Sequence, residues 1–148
     1  MGAYNKMDLA MQGLLYGFDN QVESFPCSEA VTPGWPLYQT PGTPTSVHAT
    51  YQSDDVFVGI AIASQRSTKN SVGTYGQYED VNVLTKGKVW VTVSGAVSTA
   101  PVAAYATSGK VFTVTASGNY NIGAMFRTNQ STSGGLAVLE VNGPKLVA

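Results

Sequence analysis

The sequence predicts an all-β protein, built as a compact antiparallel β-barrel or sandwich with an extended Pro/Gly-rich N-terminal arm. Val, Ile and Thr number 18, 3 and 15, so about a quarter of the 148 residues are β-branched and favour a pleated surface. Sixteen Gly and seven Pro interrupt the chain, and the longest interval free of both runs only from Thr45 to Val58. Long helices therefore have no room.

The arm is predicted over residues 1–52, which contain five of the seven prolines. Proline cannot donate to a β-ladder, and Pro-Gly pairs mark turns, so this segment is expected to be extended, with short strands near 21–25 and 37–39. Met7 and Met11 lie four apart and suggest one helical turn near residues 5–11.

Residues 53–148 are predicted to form a separate β-rich core domain. Val56 to Ala63 is a nearly continuous apolar run, typical of a strand covered on both faces. Val89, Val91 and Val93 alternate with Trp90 and Thr92, the pattern of a half-buried strand. Strands are expected at 56–63, 81–84, 89–93, 102–106, 111–115, 122–127 and 136–141, with a hairpin turn at 85–87.

Composition excludes several classes of function. Charged residues make up 11%, against about 25% in an ordinary soluble domain. A net charge of −1 argues against nucleic-acid binding, and every apolar run is too short for a membrane span. The start of the chain lacks the features of a secretory signal, so synthesis in a reducing cytoplasm is expected.

Chemistry-bearing residues are sparse and predict no enzyme, no metal site and no cofactor. His48 is the sole histidine, and no Gly-x-Ser-x-Gly motif supplies a nucleophile, although a small hydrolase built around His48 is a possible interpretation. Cys27 lies between acids, which oppose a thiolate. The pairs Asp54-Asp55 and Glu79-Asp80 lack the spacing of a calcium loop.

Aromatic residues in predicted loops and short strands favour an interaction surface, because Tyr and Trp are enriched at protein interfaces. They are Tyr4, Trp35, Tyr38, Tyr51, Tyr75, Tyr78 and Tyr105. The alternative is a glycan-binding β-module displayed on a virion or cell surface, since small β-barrels stack such rings on sugars.

Five segments, taken in order, resemble the structural cement proteins of tailed bacteriophages, which decorate the capsid. They are Glu29 to Leu37, Val56 to Ala61, Val81 to Val91, Ile122 to Phe126 and Gly135 to Leu139.

The resemblance implies a small β-rich protein on the capsid exterior of the virion that locks major capsid protein subunits together, often as a homotrimer. It implies no catalytic residues. We expect the arm to contact the capsid or a neighbouring copy through Phe25, Trp35, Leu37 and Tyr38.

Overall fold

The computed structural model describes residues 12–43, 45–63 and 74–147, and within these ranges the chain forms nine strands and no helix. The strands are β1 (Leu15–Pro26), β2 (Pro36–Gln39), β3 (Val56–Ala61), β4 (Asp80–Thr92), β5 (Val102–Ala106), β6 (Phe112–Thr113), β7 (Tyr120–Phe126), β8 (Leu136–Asn142) and β9 (Lys145–Leu146). They pair antiparallel in one sheet that curls into a half-barrel. The predicted all-β class is therefore confirmed.

Strand β4 is the centre of the sheet, whose main path runs β2-β3-β4-β8-β7-β5-β6. Val89 of β4 pairs with Leu15 of β1 on one edge and with Leu139 of β8 on the other. β9 pairs with β3. Within the described ranges, the outer edge of β1 has no strand partner.

The hairpin predicted over residues 81–93 is wrong, because β4 passes through 85–87 as one continuous strand. Leu84 and Val89 both face the same core although they lie five residues apart, an odd spacing that a regular strand cannot give. Gly87, with φ 138°, lies between them and absorbs the irregularity. A Cβ atom at Gly87 would overlap the side-chain oxygen of Asn20.

Two apolar clusters cover opposite faces of β3 and the start of β4. Neighbouring residues alternate between them: Ile60 and Leu84 belong to the larger cluster one, whereas Ala61 and Val83 belong to cluster two. Strand β3 is buried on both faces, as its apolar run predicted. Farther along β4, Val89 and Val91 face cluster one only, so the opposite face of that part of the sheet is left for other contacts.

The structure does not confirm the Pro/Gly-rich arm as a separate element. β1 pairs with β4 over residues 15–16 and 21–26, and β2 pairs with β3. Residues 27–49 supply half of the buried members of cluster two, including Cys27, Val31 and Val47. The prolines did not indicate a separate arm, because Pro26 ends a strand and Pro36 begins one. These positions need no hydrogen-bond donor to the ladder.

Other predicted elements differ in smaller ways. β1 begins at Leu15 instead of near residue 21, and β9 was not predicted. The helical turn predicted near 5–11 lies outside the described residues. Among the residues described, no helix has the length and apolarity needed to cross a bilayer.

Candidate interaction surface

The four residues predicted to contact a partner fall into two pairs. Leu37 and Tyr38 are 0% and 1% exposed and belong to clusters two and one, respectively. Contact through their side chains would require the core to open. Phe25 and Trp35 pack on cluster two but keep part of their surface exposed, so an interface role stays a prediction for these two.

Trp35 is held in place from two directions. Cluster two lies under its ring, and the ammonium of Lys110 lies 5.2 Å from the ring centroid, within the range of a cation–π interaction. The segment around Trp35 is fixed by the Ala61 amide, which donates to the Trp35 carbonyl at 3.0 Å. Trp35 is therefore a rigid ring at the border of the core.

His48 forms a buried pair with the carboxylate of Asp55. Its Nε2 lies 2.6 Å from Oδ2 of Asp55, which is fully buried. The same carboxylate accepts hydrogen bonds from the Thr40 hydroxyl at 3.0 Å and the Gln52 amide at 2.8 Å. These contacts tie together the two ends of the segment between β2 and β3.

Cys27 is likewise part of the core. Its thiol is 1% exposed and donates to the carbonyls of Gly76 and Glu79 at 3.1 and 3.3 Å. Burial raises the pKa of the thiol, although backbone hydrogen bonds oppose that shift. A reactive thiolate is therefore disfavoured at this position.

Carboxylates also serve structural roles. Burial opposes ionisation of Glu29, yet the amides of Ala49 and Thr50 donate to it at 2.8 and 2.9 Å, and the net effect lowers its pKa. Within the described ranges, no group of three or more His, Cys, Asp or Glu side chains could hold a metal ion.

A row of side chains crosses the face of the sheet opposite cluster one, and we call it the outer row. The strand register places in line Tyr16, Lys88, Glu140, Met125 and Ala103, from β1, β4, β8, β7 and β5. Directly paired residues project to the same face of a sheet. Four strand spacings give the row a length of about 19 Å. Sequence spacing alone could not have shown this line, because it depends on the pairing.

The outer row presents both apolar and charged groups to solvent. Tyr16 is 45% exposed and packs edge-on against Trp90, with ring centroids 5.9 Å apart. Met125 is 40% exposed. Glu140 forms an ion pair with Arg127 at 3.4 Å, and both side chains remain more than 40% exposed. Exposed apolar side chains ringed by charges are typical of interaction surfaces.

A groove of about 280 Å³ lies at the β1 end of the outer row, where the register of β1 slips between Tyr16 and Gln21. Its walls are Tyr16, Gly17, Asn20, Lys86, Gly87, Lys88, Glu140, Val141 and Asn142. Asn20 fixes one wall, because its side-chain oxygen accepts from the Lys88 amide at 3.0 Å. Lys86 and Lys88 form no ion pair within the described part of the chain.

Tyr78 is the most exposed large side chain at the opposite end of β4, with 75% of its surface accessible. The sequence marked it only as one aromatic residue among several. It has φ 71° in a turn closed by the Glu79 amide donating to the Gly76 carbonyl at 3.1 Å. A left-handed conformation is unusual for a bulky residue, and no local pattern signals it.

Comparison with known proteins assigns the chain to a family. Residues 3–142 match the family model described as structural cement protein (E217 gp24/Pam3 gp6). The chain belongs to the phage structural cement protein family. It is thus a capsid cement or decoration protein, and the predicted family, virion setting and cementing role are confirmed. Membership implies a structural, non-enzymatic role.

A chain in a solved phage capsid shares the fold of this cement protein. It superposes with a TM-score of 0.71 and 15% identity on a chain in the capsid of Myoviridae Phage XM1, covering 89% of each chain. The head fiber gp8.5 N base in bacteriophage phi29 gives a TM-score of 0.45 at 12% identity, covering 86% of this chain and 98% of that one. The comparison with curated proteins found no match.

Proposed function

We propose that this cement protein binds the exterior of the phage head and holds adjacent major capsid protein subunits together, with the outer row facing the shell. The observation that carries this proposal is the partly exposed face of β4, β8, β7 and β5. Cluster one packs on one side of these strands, whereas Met125 and Tyr16 remain exposed on the other.

The size and composition of this face suit a protein contact. A row about 19 Å long spans five strands, and a specific interface needs roughly 800 Å² from each partner. The sheet beneath is rigid because its inner side is close-packed, so little side-chain or backbone order need be lost on binding. Fixed apolar groups surrounded by charge can supply both affinity and orientation.

Cementing follows from differential binding. A protein that binds the assembled lattice, but not separated subunits, shifts the equilibrium towards the assembled shell by mass action. Repetition over the symmetric shell multiplies contacts that are individually modest. We propose that the chain is made in the host cytoplasm and joins the head there, and that copies act as homotrimers.

Phe25 and Trp35 are proposed as secondary contacts with the shell or a neighbouring copy. Two observations support this role. Both rings border cluster two and are partly exposed, and the ammonium of Lys110 lies over the ring of Trp35. Rings held rigidly in this way make good anchors because little entropy is lost on contact. Measurement of head binding by Trp35→Ala tests this role, and unchanged affinity would contradict it.

The outer row predicts that Met125→Asp weakens binding to heads lacking the protein by at least about tenfold, because a carboxylate would be buried in the contact. Val114→Asp is a matched control, since Val114 is also apolar and 36% exposed but follows β6, outside the outer row. Affinity is measured by co-sedimentation with heads, and thermal unfolding checks that both variants fold. Equal affinities for Met125→Asp and wild type would contradict the proposed surface.

A further inference from the structure

We propose that copies of this protein associate head to tail, with Tyr78 of one copy seated in the groove beside Lys86 and Lys88 of the next. The inference rests on the proposed function in one respect: it assumes that copies lie side by side on the shell. It adds the residues through which neighbouring copies touch.

Tyr78 has the properties of an inserted side chain. Its turn is anchored to the core segment, because the Tyr78 amide donates to the Cys27 carbonyl at 2.7 Å and the Gln77 side chain donates to the Ser28 carbonyl at 3.0 Å. With the backbone fixed, the exposed ring is aimed away from the body of the protein. Docking such a ring costs little conformational entropy.

The groove can receive an aromatic ring. A cavity of about 150 Å³ is enough to hold benzene, and the groove measures about 280 Å³. Tyr16 offers an apolar wall, while Asn20 and Asn142 offer polar groups within the same groove, where a phenol hydroxyl needs a partner. The groove includes Tyr16, Lys88 and Glu140 at the β1 end of the outer row, so an occupied groove leaves Met125 and Ala103, on strands β7 and β5, for the shell.

The charge beside Tyr78 is opposite to the charge of the lysines at the groove. Lys86 and Lys88 rim the groove, whose carboxylate, Glu140, is paired with Arg127. Asp80 lies two residues from Tyr78 with an exposed side chain. Asp80 and Lys88 are eight residues apart on β4, or about 26 Å. They cannot meet within one copy, but they can meet between two copies.

The head-to-tail arrangement proposed here makes the contact heterologous. Heterologous contacts form closed rings when the rotation between copies closes. A ring of three would give the homotrimer that we propose.

The test exchanges the charges across the proposed contact. Self-association of the full chain is measured by sedimentation velocity for wild type, Tyr78→Ala, Asp80→Lys, Lys86→Glu and the double variant Asp80→Lys/Lys86→Glu, with Val114→Ala as control. Each single substitution in the contact is expected to weaken association roughly tenfold, and the double variant to recover most of that loss. Thermal unfolding confirms that each variant folds.

Three results would overturn the proposal. The first is Tyr78→Ala that associates as strongly as wild type, and the second is a double variant that associates no more strongly than the single variants. The third is a wild-type chain that is monomeric in solution and also binds heads without cooperativity. If the Tyr78 effect on association persists while wild type fails to bind heads, the proposed function fails and this contact stands.

Discussion

A chain lacking residues 1–52 is expected to be unfolded. The deletion removes β1 and β2 and five of the ten buried members of cluster two, namely Cys27, Val31, Leu37, Val47 and Ala49. It would expose Val58, Val81 and Val83 to water, and it takes Tyr38 from cluster one. Each large core side chain contributes about 2 to 5 kcal/mol, and a domain has only about 5 to 15 kcal/mol in all.

Circular dichroism and the dispersion of amide NMR signals measure this effect. The 53–148 fragment should show neither a native β-sheet spectrum nor cooperative unfolding, and a separate chain of residues 1–52 should restore both when the two are mixed. Cooperative unfolding of residues 53–148 alone would contradict the packing described here and would support the separate core domain that composition predicts.

Replacement of His48 by Ala is expected to destabilise the protein by about 2 to 3 kcal/mol, because it removes the closest hydrogen-bond partner of the buried carboxylate of Asp55. Thr40 and Gln52 still donate to this carboxylate. Thr40→Ala removes one of these donors and serves as a matched control, with an expected loss of about 1 kcal/mol.

Urea unfolding at neutral pH gives the free energies of unfolding of His48→Ala and Thr40→Ala. A loss below about 1 kcal/mol for His48→Ala would show that Asp55 finds another partner, contradicting the role assigned to the pair.

Sequence patterns identified most strands because local alternation reflects burial directly. Val89, Val91 and Val93 are buried and Trp90 and Thr92 are partly exposed, as their period of two predicts. The pattern gave a wrong prediction at 85–87, because the sequence Thr-Lys-Gly is typical of a turn. In the structure β4 continues through these residues, and Gly87 fits against Asn20 of β1, a neighbouring strand that is distant in sequence.

The candidate surface was harder to predict because it depends on register. Tyr16 and Glu140 are 124 positions apart and lie in one row only because both pair with Lys88. Leu37 and Tyr38 are apolar residues in a Pro/Gly-rich segment, and sequence alone could not distinguish an exposed strand from one covered on both faces. The buried pair of His48 and Asp55 had a usable signal, since the two lie seven residues apart across a single turn-rich segment.

The most direct test of cementing is the temperature at which heads lacking this protein release their DNA, measured with a DNA-binding dye before and after saturation with the purified chain. Cementing through the outer row predicts that the wild-type chain raises this temperature and that Met125→Asp, at equal concentration, does not. Saturated binding of the wild-type chain with an unchanged release temperature would contradict a stabilising role.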